Sequence, residues 1–215
     1  ELLKFLLQTR NRMKALIILI SRPEKNKPFW QIKEHLKSTI KFEEINIRPL
    51  TREETLELSK NLLMIPRLSP DLIEKIVNDA GGNPFFLEEL IKLLIFKGIL
   101  YRRGNEWLAS DREIEWDIPY TIEGIIQTSY DTLNPELRNL LSEMAVLGRT
   151  FNKKVLQGFT QFWDNLDIFI SQLVEMGYIF TNNNQDYAFN HALVRESIYK
   201  SVPEQKTERI TPFCC

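Results

Sequence analysis

Gly81-Gly82-Asn83-Pro84-Phe85-Phe86-Leu87-Glu88-Glu89-Leu90 decides how this chain is divided. Two glycines in a row break whatever helix precedes them. Asn83 is a good N-cap, and Pro84 suits the first position of a new helix. The stretch therefore predicts a helix end, a tight turn and a capped helix start. The new helix runs to about Phe96. Glu88 and Glu89 are expected near its N-terminus, where the macrodipole favours acids.

The same punctuation recurs outward from this turn. Thr51-Arg52-Glu53-Glu54 reads as a capping box opening a helix to about Leu63. Ser69-Pro70 opens the next, with Leu72, Ile73, Ile76 and Val77 on one face. Ile99-Leu100-Tyr101 and Trp107-Leu108 flank Arg103-Gly104-Asn105 and predict a hairpin. Residues 110–118 are polar and acidic, a linker. Helices are then expected over 121–132, 135–147, 152–159 and 165–176, with Gly177 ending the last. Tyr178-Ile179-Phe180 and Tyr187-Ala188-Phe189 predict a second hairpin around Asn182-Asn183-Asn184. A final helix follows from Leu193 to Tyr199.

The first 50 residues differ in kind. Leu2, Leu3, Leu6 and Leu7 lie at helical spacing. Ala15-Leu16-Ile17-Ile18-Leu19-Ile20 is an unbroken apolar run, as in a parallel strand buried on both faces. It ends at Ser21-Arg22-Pro23-Glu24, which puts Arg22 at the strand's C-terminal edge, where open α/β sheets bind ligands. A short helix over 29–38 and a weak strand from Glu43 to Ile47 follow.

Composition sets limits. With 28 Lys and Arg against 29 Asp and Glu, the net charge is −1. Bulk charge thus favours neither a nucleic acid nor a membrane surface as partner. The two cysteines are Cys214 and Cys215, adjacent and without metal-ligand spacing. This fits a reducing, cytoplasmic setting, with no metal site expected. No apolar run approaches the ~20 residues of a membrane span. The chain opens directly into an amphipathic helix pattern, which suggests a piece of a longer protein. Thr211-Pro212-Phe213-Cys214-Cys215 reads as a premature or out-of-frame end.

Gly82-Asn83-Pro84 followed by Phe-Phe-Leu-Glu-Glu-Leu resembles the lid motif of STAND-type signal-transduction ATPases, a branch of the AAA+ superfamily. The resemblance extends over roughly residues 1–209. It implies a mainly α fold with small β parts. Residues 1–50 would be the C-terminal edge of an AAA+ α/β core, 51–110 a helical lid with a hairpin, 119–201 a winged-helix domain and 202–215 an irregular tail. ATP or ADP is the implied ligand, bound in the intact parent protein and weakly at best by this chain alone. Arg22 falls at the family's sensor position, facing the γ-phosphate. Pro84, set by Gly82 and Asn83, would lie against adenine. Phe189-Asn190-His191-Ala192-Leu193-Val194-Arg195-Glu196 resembles the winged-helix histidine motif, in which His191 would contact the phosphates of ADP. An imidazole gains charge near neutral pH, which suits that partner. Ala192 stands where many relatives carry aspartate. His35 is expected at the surface.

No catalytic residue is expected. The chain has no G-x-x-x-x-G-K-[ST] loop and no apolar strand ending in paired carboxylates. Hydrolysis of a nucleoside triphosphate needs that cradle, a lysine and a magnesium carboxylate. The chain alone should turn over no ATP. The missing N-terminal part of the core would be a partner, together with sensor and output domains of cyclase, kinase or LuxR type. A winged-helix DNA-binding regulator is the alternative. The helix at 165–176 carries Asn165, Asp167, Gln172 and Glu175 but no Lys or Arg, which is wrong for phosphate contact. A module that only binds another protein stays open, as does an origin-recognition-type ATPase, although that class needs a basic wing.

Overall fold

The computed structural model describes residues 16–22, 30, 33, 37, 43–63, 69–104, 106–110, 117–158, 160, 163–181, 183 and 185–210. The expected helix over 1–13 and His35 lie outside the described residues, as do most of the expected helix over 29–38, most of the linker and 211–215. The chain separates into two units, Glu1–Arg48 and Pro49–Cys215.

In the first unit the sequence expectation fails. Leu16 to Ile20 pairs with no described strand, and Leu16, Ile18 and Ile20 are 87%, 74% and 93% exposed. Glu43 to Ile47 is likewise unpaired, with Ile45 and Ile47 exposed. A strand that is apolar on both faces is stable only with strands at its edges and layers above and below it. The described part of this unit supplies neither, and both sheets of the described chain are antiparallel. Among the described residues of this unit, no α/β core edge is formed. Trp30, Lys33 and Lys37 are helical. Lys33 is buried, pairs with Glu44 and lies 4.1 Å from the centre of the Trp30 ring. Lys37 reaches the other oxygen of Glu44 at 3.2 Å. Bonded to Lys33 and then to Lys37, the Glu44 carboxyl is held below its usual range.

The second unit is mainly helical with two small antiparallel sheets. It begins with α1 (Arg52–Leu63), α2 (Pro70–Ala80) and α3 (Pro84–Phe96). The capping box forms at α1: the Glu54 N–H donates to Thr51 Oγ1 at 3.2 Å, and the Thr51 N–H to Glu54 Oε2 at 2.8 Å. Ser69 caps α2 by accepting from the Leu72 N–H at 3.3 Å. Strands β1 (Leu100–Arg103) and β2 (Glu106–Ala109) make the first hairpin, with Leu100 opposite Ala109.

Next come α4 (Ile122–Asp131) and α5 (Pro135–Leu147), capped by Thr121 and Asn134. A short strand β3 (Thr150–Asn152) leads directly into α6 (Lys153–Gln157). A 3-10 turn precedes α7 (Leu166–Glu175), and β4 (Ile179–Thr181) and β5 (Asp186–Phe189) follow. The sheet runs β3-β5-β4, so the expected hairpin gains a third strand at β5's outer edge. Helix α8 (Ala192–Ser201) closes this part. Residues 204–210 are not irregular as expected. They form α9 (Glu204–Ile210), docked on α5 by Lys206 Nζ, which donates to Asn139 O at 2.9 Å and Oδ1 at 2.6 Å. Ile210 is buried.

Two apolar clusters hold this unit. Leu72, Ile76, Leu87, Leu90, Leu94, Leu100 and Ile125 belong to one. Ile126, Leu140, Leu141, Met144, Leu173, Phe189 and Ile198 belong to the other. Helix α4 divides them, with Ile125 in the first and its neighbour Ile126 in the second. Helix α3 is apolar nearly all round for the same reason. Its Leu87 and Leu90 fill the first cluster, while Phe85 and Phe96 pack on the second.

Candidate functional site

The turn before α3 is built by backbone demands. Gly81 ends α2 in the left-handed conformation, φ 54°, and Gly82 is also left-handed at φ 74°. Gly82 is buried against the start of the unit: its carbonyl accepts from the Leu50 N–H at 2.8 Å. A β-carbon on Gly82 would lie 2.4 Å from the Leu50 carbonyl oxygen. This contact, not a ligand, requires glycine there. Asn83 Oδ1 accepts from the N–H groups of Phe85 and Phe86 at 3.0 and 3.3 Å, so its acceptor is committed to the cap. Pro84 follows with its ring exposed.

His191 is placed from the other end of the unit. Phe189 is fully buried at the end of β5. Asn190 then ties the loop down, donating from Nδ2 to Gly177 O at 2.6 Å. His191 takes the N-cap position of α8 in extended conformation and makes no side-chain cap bond. Its ring is thus left to reach α3. It sits with its centre 4.1 Å from that of Phe85, the planes 39° apart. Its Nε2 lies 3.7 Å from Glu88 Oε2, with the two side chains 40% and 36% exposed.

The structure therefore brings His191 beside the first two turns of the helix that Gly82, Asn83 and Pro84 open. Arg22 belongs to the other unit. It is exposed, and its backbone carbonyl accepts from Trp30 Nε1 at 3.4 Å and from Ser21 Oγ at 3.0 Å.

Glu88 and Glu89 depart from the expected pair of helix-N-terminal acids, since the first turn of α3 holds no acid. Glu88 is the partner of His191. Glu89 is buried and accepts from Lys92 Nζ at 2.7 Å. Glu89 and Lys92 line a small pocket together with Ser129, Gly177 and Tyr178. Burial, and then the Glu89 carboxylate, push the Tyr178 phenol up. Arg195 is structural: its Nε donates to Ala145 O at 2.8 Å near the end of α5, and its guanidinium lies 4.7 Å from the centre of the Tyr199 ring.

Sequence reading missed Phe85 and Glu88 as partners of His191. The Phe85-Phe86 doublet carried half a signal: one ring had to be buried in the helix's own core, and Phe86 is. The other was available for a contact far along the chain.

Chemically, the cluster offers an exposed proline ring, one imidazole and one carboxylate. The cluster offers one donor, the imidazole, since an ionised carboxylate only accepts. It has no cradle of N–H groups to hold a triphosphate by itself. Among the described residues, no group of three or more His, Cys, Asp and Glu side chains could hold a metal ion, and no helix is long and apolar enough to cross a membrane. Compared with family profiles, curated proteins and solved structures, the chain finds no match in any of the three.

Proposed function

We propose that residues 49–210 are the lid and winged-helix part of a STAND-type AAA+ regulator, coupling the ATP or ADP state of a nucleotide-binding core to signalling output. The observation that carries this reading is His191 seated on Phe85, one residue after the Gly82-Asn83-Pro84 turn. The two motifs that resemble the family lie far apart in sequence and have no local reason to meet. Here they share one exposed surface. Helices α4, α5 and α7 with the β3-β5-β4 sheet have the order of a winged helix, and α1 to α3 that of a lid.

In this proposal Pro84 lies against adenine and His191 donates to a phosphate oxygen. Gly82 and Asn83 act indirectly, by fixing where Pro84 stands. The sensor role of Arg22 is carried by its sequence motif alone. The chain carries no phosphate loop, so it senses nucleotide and does not hydrolyse it. A core that contains the loop is the required partner, and sensor and output domains are further ones. The setting is cytoplasmic. DNA is not a partner, because α7 presents no Lys or Arg for phosphate contact.

The test is photoaffinity labelling of the 215-residue chain with 8-azido-ADP, followed by peptide mapping. Label should fall on residues 82–86 and be reduced in His191→Ala. Label spread without preference, or left unchanged by His191→Ala, would remove the reading. Steady ATP turnover by the purified chain would contradict the sensing-only role.

A further inference from the structure

Glu88 faces His191 at the place where, on the reading above, a phosphate oxygen would arrive. Two roles are open to such a carboxylate. It could orient the imidazole through a hydrogen bond, leaving the other ring nitrogen to the ligand. Or it could occupy the imidazole in place of the ligand. The geometry separates them. An orienting bond needs heavy atoms within roughly 3.2 Å, and the pair stands at 3.7 Å. Orientation already has another source in the Phe85 ring, 4.1 Å away on α3. Both side chains are more than a third exposed, so any attraction between them is small and readily exchanged.

Burial also distinguishes Glu88 from its neighbour. Glu89 is committed to Lys92 inside the fold. Glu88 reaches solvent and makes no bond that α3 needs.

We infer that Glu88 is an internal competitor for His191: it holds the imidazole in the absence of nucleotide, and a phosphate group must displace it to bind. This rests on the nucleotide reading and adds the residue that sets its threshold. The carboxylate makes the site respond to an anion stronger than itself. A phosphate bearing two charges exchanges with it, whereas a neutral nucleoside does not. Affinity for the phosphate is therefore lowered by Glu88 in addition to the lack of an N–H cradle.

The experiment titrates inorganic phosphate, ADP and adenosine separately into the 215-residue chain, with Glu88→Gln and His191→Gln beside it. The readouts are the His191 ring resonances and the dissociation constants. Glu88→Gln keeps shape and removes the charge of a partly exposed side chain, so it should fold as the parent does. It is expected to bind phosphate and ADP about 3- to 10-fold tighter, the effect of removing one nearby like charge at a half-exposed site. Adenosine affinity should not change. His191→Gln should erase the gain when combined with Glu88→Gln. Equal or weaker phosphate binding by Glu88→Gln, with His191→Gln still weakening ADP, would overturn the competitor role and leave the nucleotide reading standing. ADP binding indifferent to His191→Gln in both backgrounds would overturn both.

Discussion

Gly82 and Asn83 are neighbours in one turn, yet substitution at each tests a different force. Gly82→Ala adds a methyl 2.4 Å from the Leu50 carbonyl oxygen on a left-handed backbone. It should cost about 2–4 kcal/mol, with ~1–2 from the backbone conformation and the rest from overpacking. Asn83→Ala removes only the acceptor for the Phe85 and Phe86 N–H groups and should cost about 1 kcal/mol. Urea unfolding of both variants checks the order. A milder effect at Gly82 would mean that the turn does not bear on Leu50 as described. At this scale the sequence was readable where chemistry is local. Asn83, Pro84, Thr51 and Ser69 sit in the roles their types predict, because a cap needs only the next three residues. The Gly82–Leu50 and His191–Glu88 contacts were not readable, since nothing local marks residues that meet across a fold.

Among the elements, helix boundaries followed their caps closely: α5 spans the expected 135–147. Strand β3 was missed because three residues are too few for a period to show, and Asn152 doubles as the cap of α6 through the Lys154 N–H at 2.9 Å. Helix α9 was missed because its hold on α5 is the Lys206–Asn139 pair, which leaves no apolar stripe to read. The β3-β5-β4 sheet also has a pH dependence of defined sign. The Asp186 carboxylate accepts from Asn183 Nδ2 at 2.9 Å and from Asn152 Nδ2 at 2.8 Å, and these bonds hold its pKa below the usual value. A carboxyl whose folded pKa is depressed adds stability above its unfolded value, lost as pH falls through the folded one. The contribution of Asp186 should therefore be lost only on the acid side of the ordinary aspartate range, and it should be small because the group is exposed. Asp186→Asn should slightly reduce the acid sensitivity of unfolding and leave neutral behaviour nearly unchanged. An acid sensitivity identical to the parent's would show that the charge of Asp186 adds nothing to the sheet.

For the whole molecule, the sequence marks a change of architecture near residue 50, and the two units divide after Arg48. It also predicts a buried strand at 15–20 and a weak one at 43–47, which the described chain does not form. Apolar periodicity records what a segment needs around it, not whether those neighbours are present. In the second unit the two clusters meet at α4, so cooperativity should cross from α1–α3 to the following helices. Ile125→Ala and Ile126→Ala each empty a fully buried position, one in each cluster. Each should cost about 2–5 kcal/mol. In both variants, calorimetry should show one transition for this unit, shifted downward. Two separated transitions in either variant would mean the clusters melt independently.

That pair of isoleucines has a further consequence for how such a chain can change over time. A one-residue insertion turns everything beyond it on a helix by roughly 100°. Placed between Ile125 and Ile126, it would swing one side chain out of its seat whichever end stayed fixed. Exposed positions of α4 can change, but its length is closed to revision. The helix is a keyed shaft between two housings: its teeth can be recut, but none can be added.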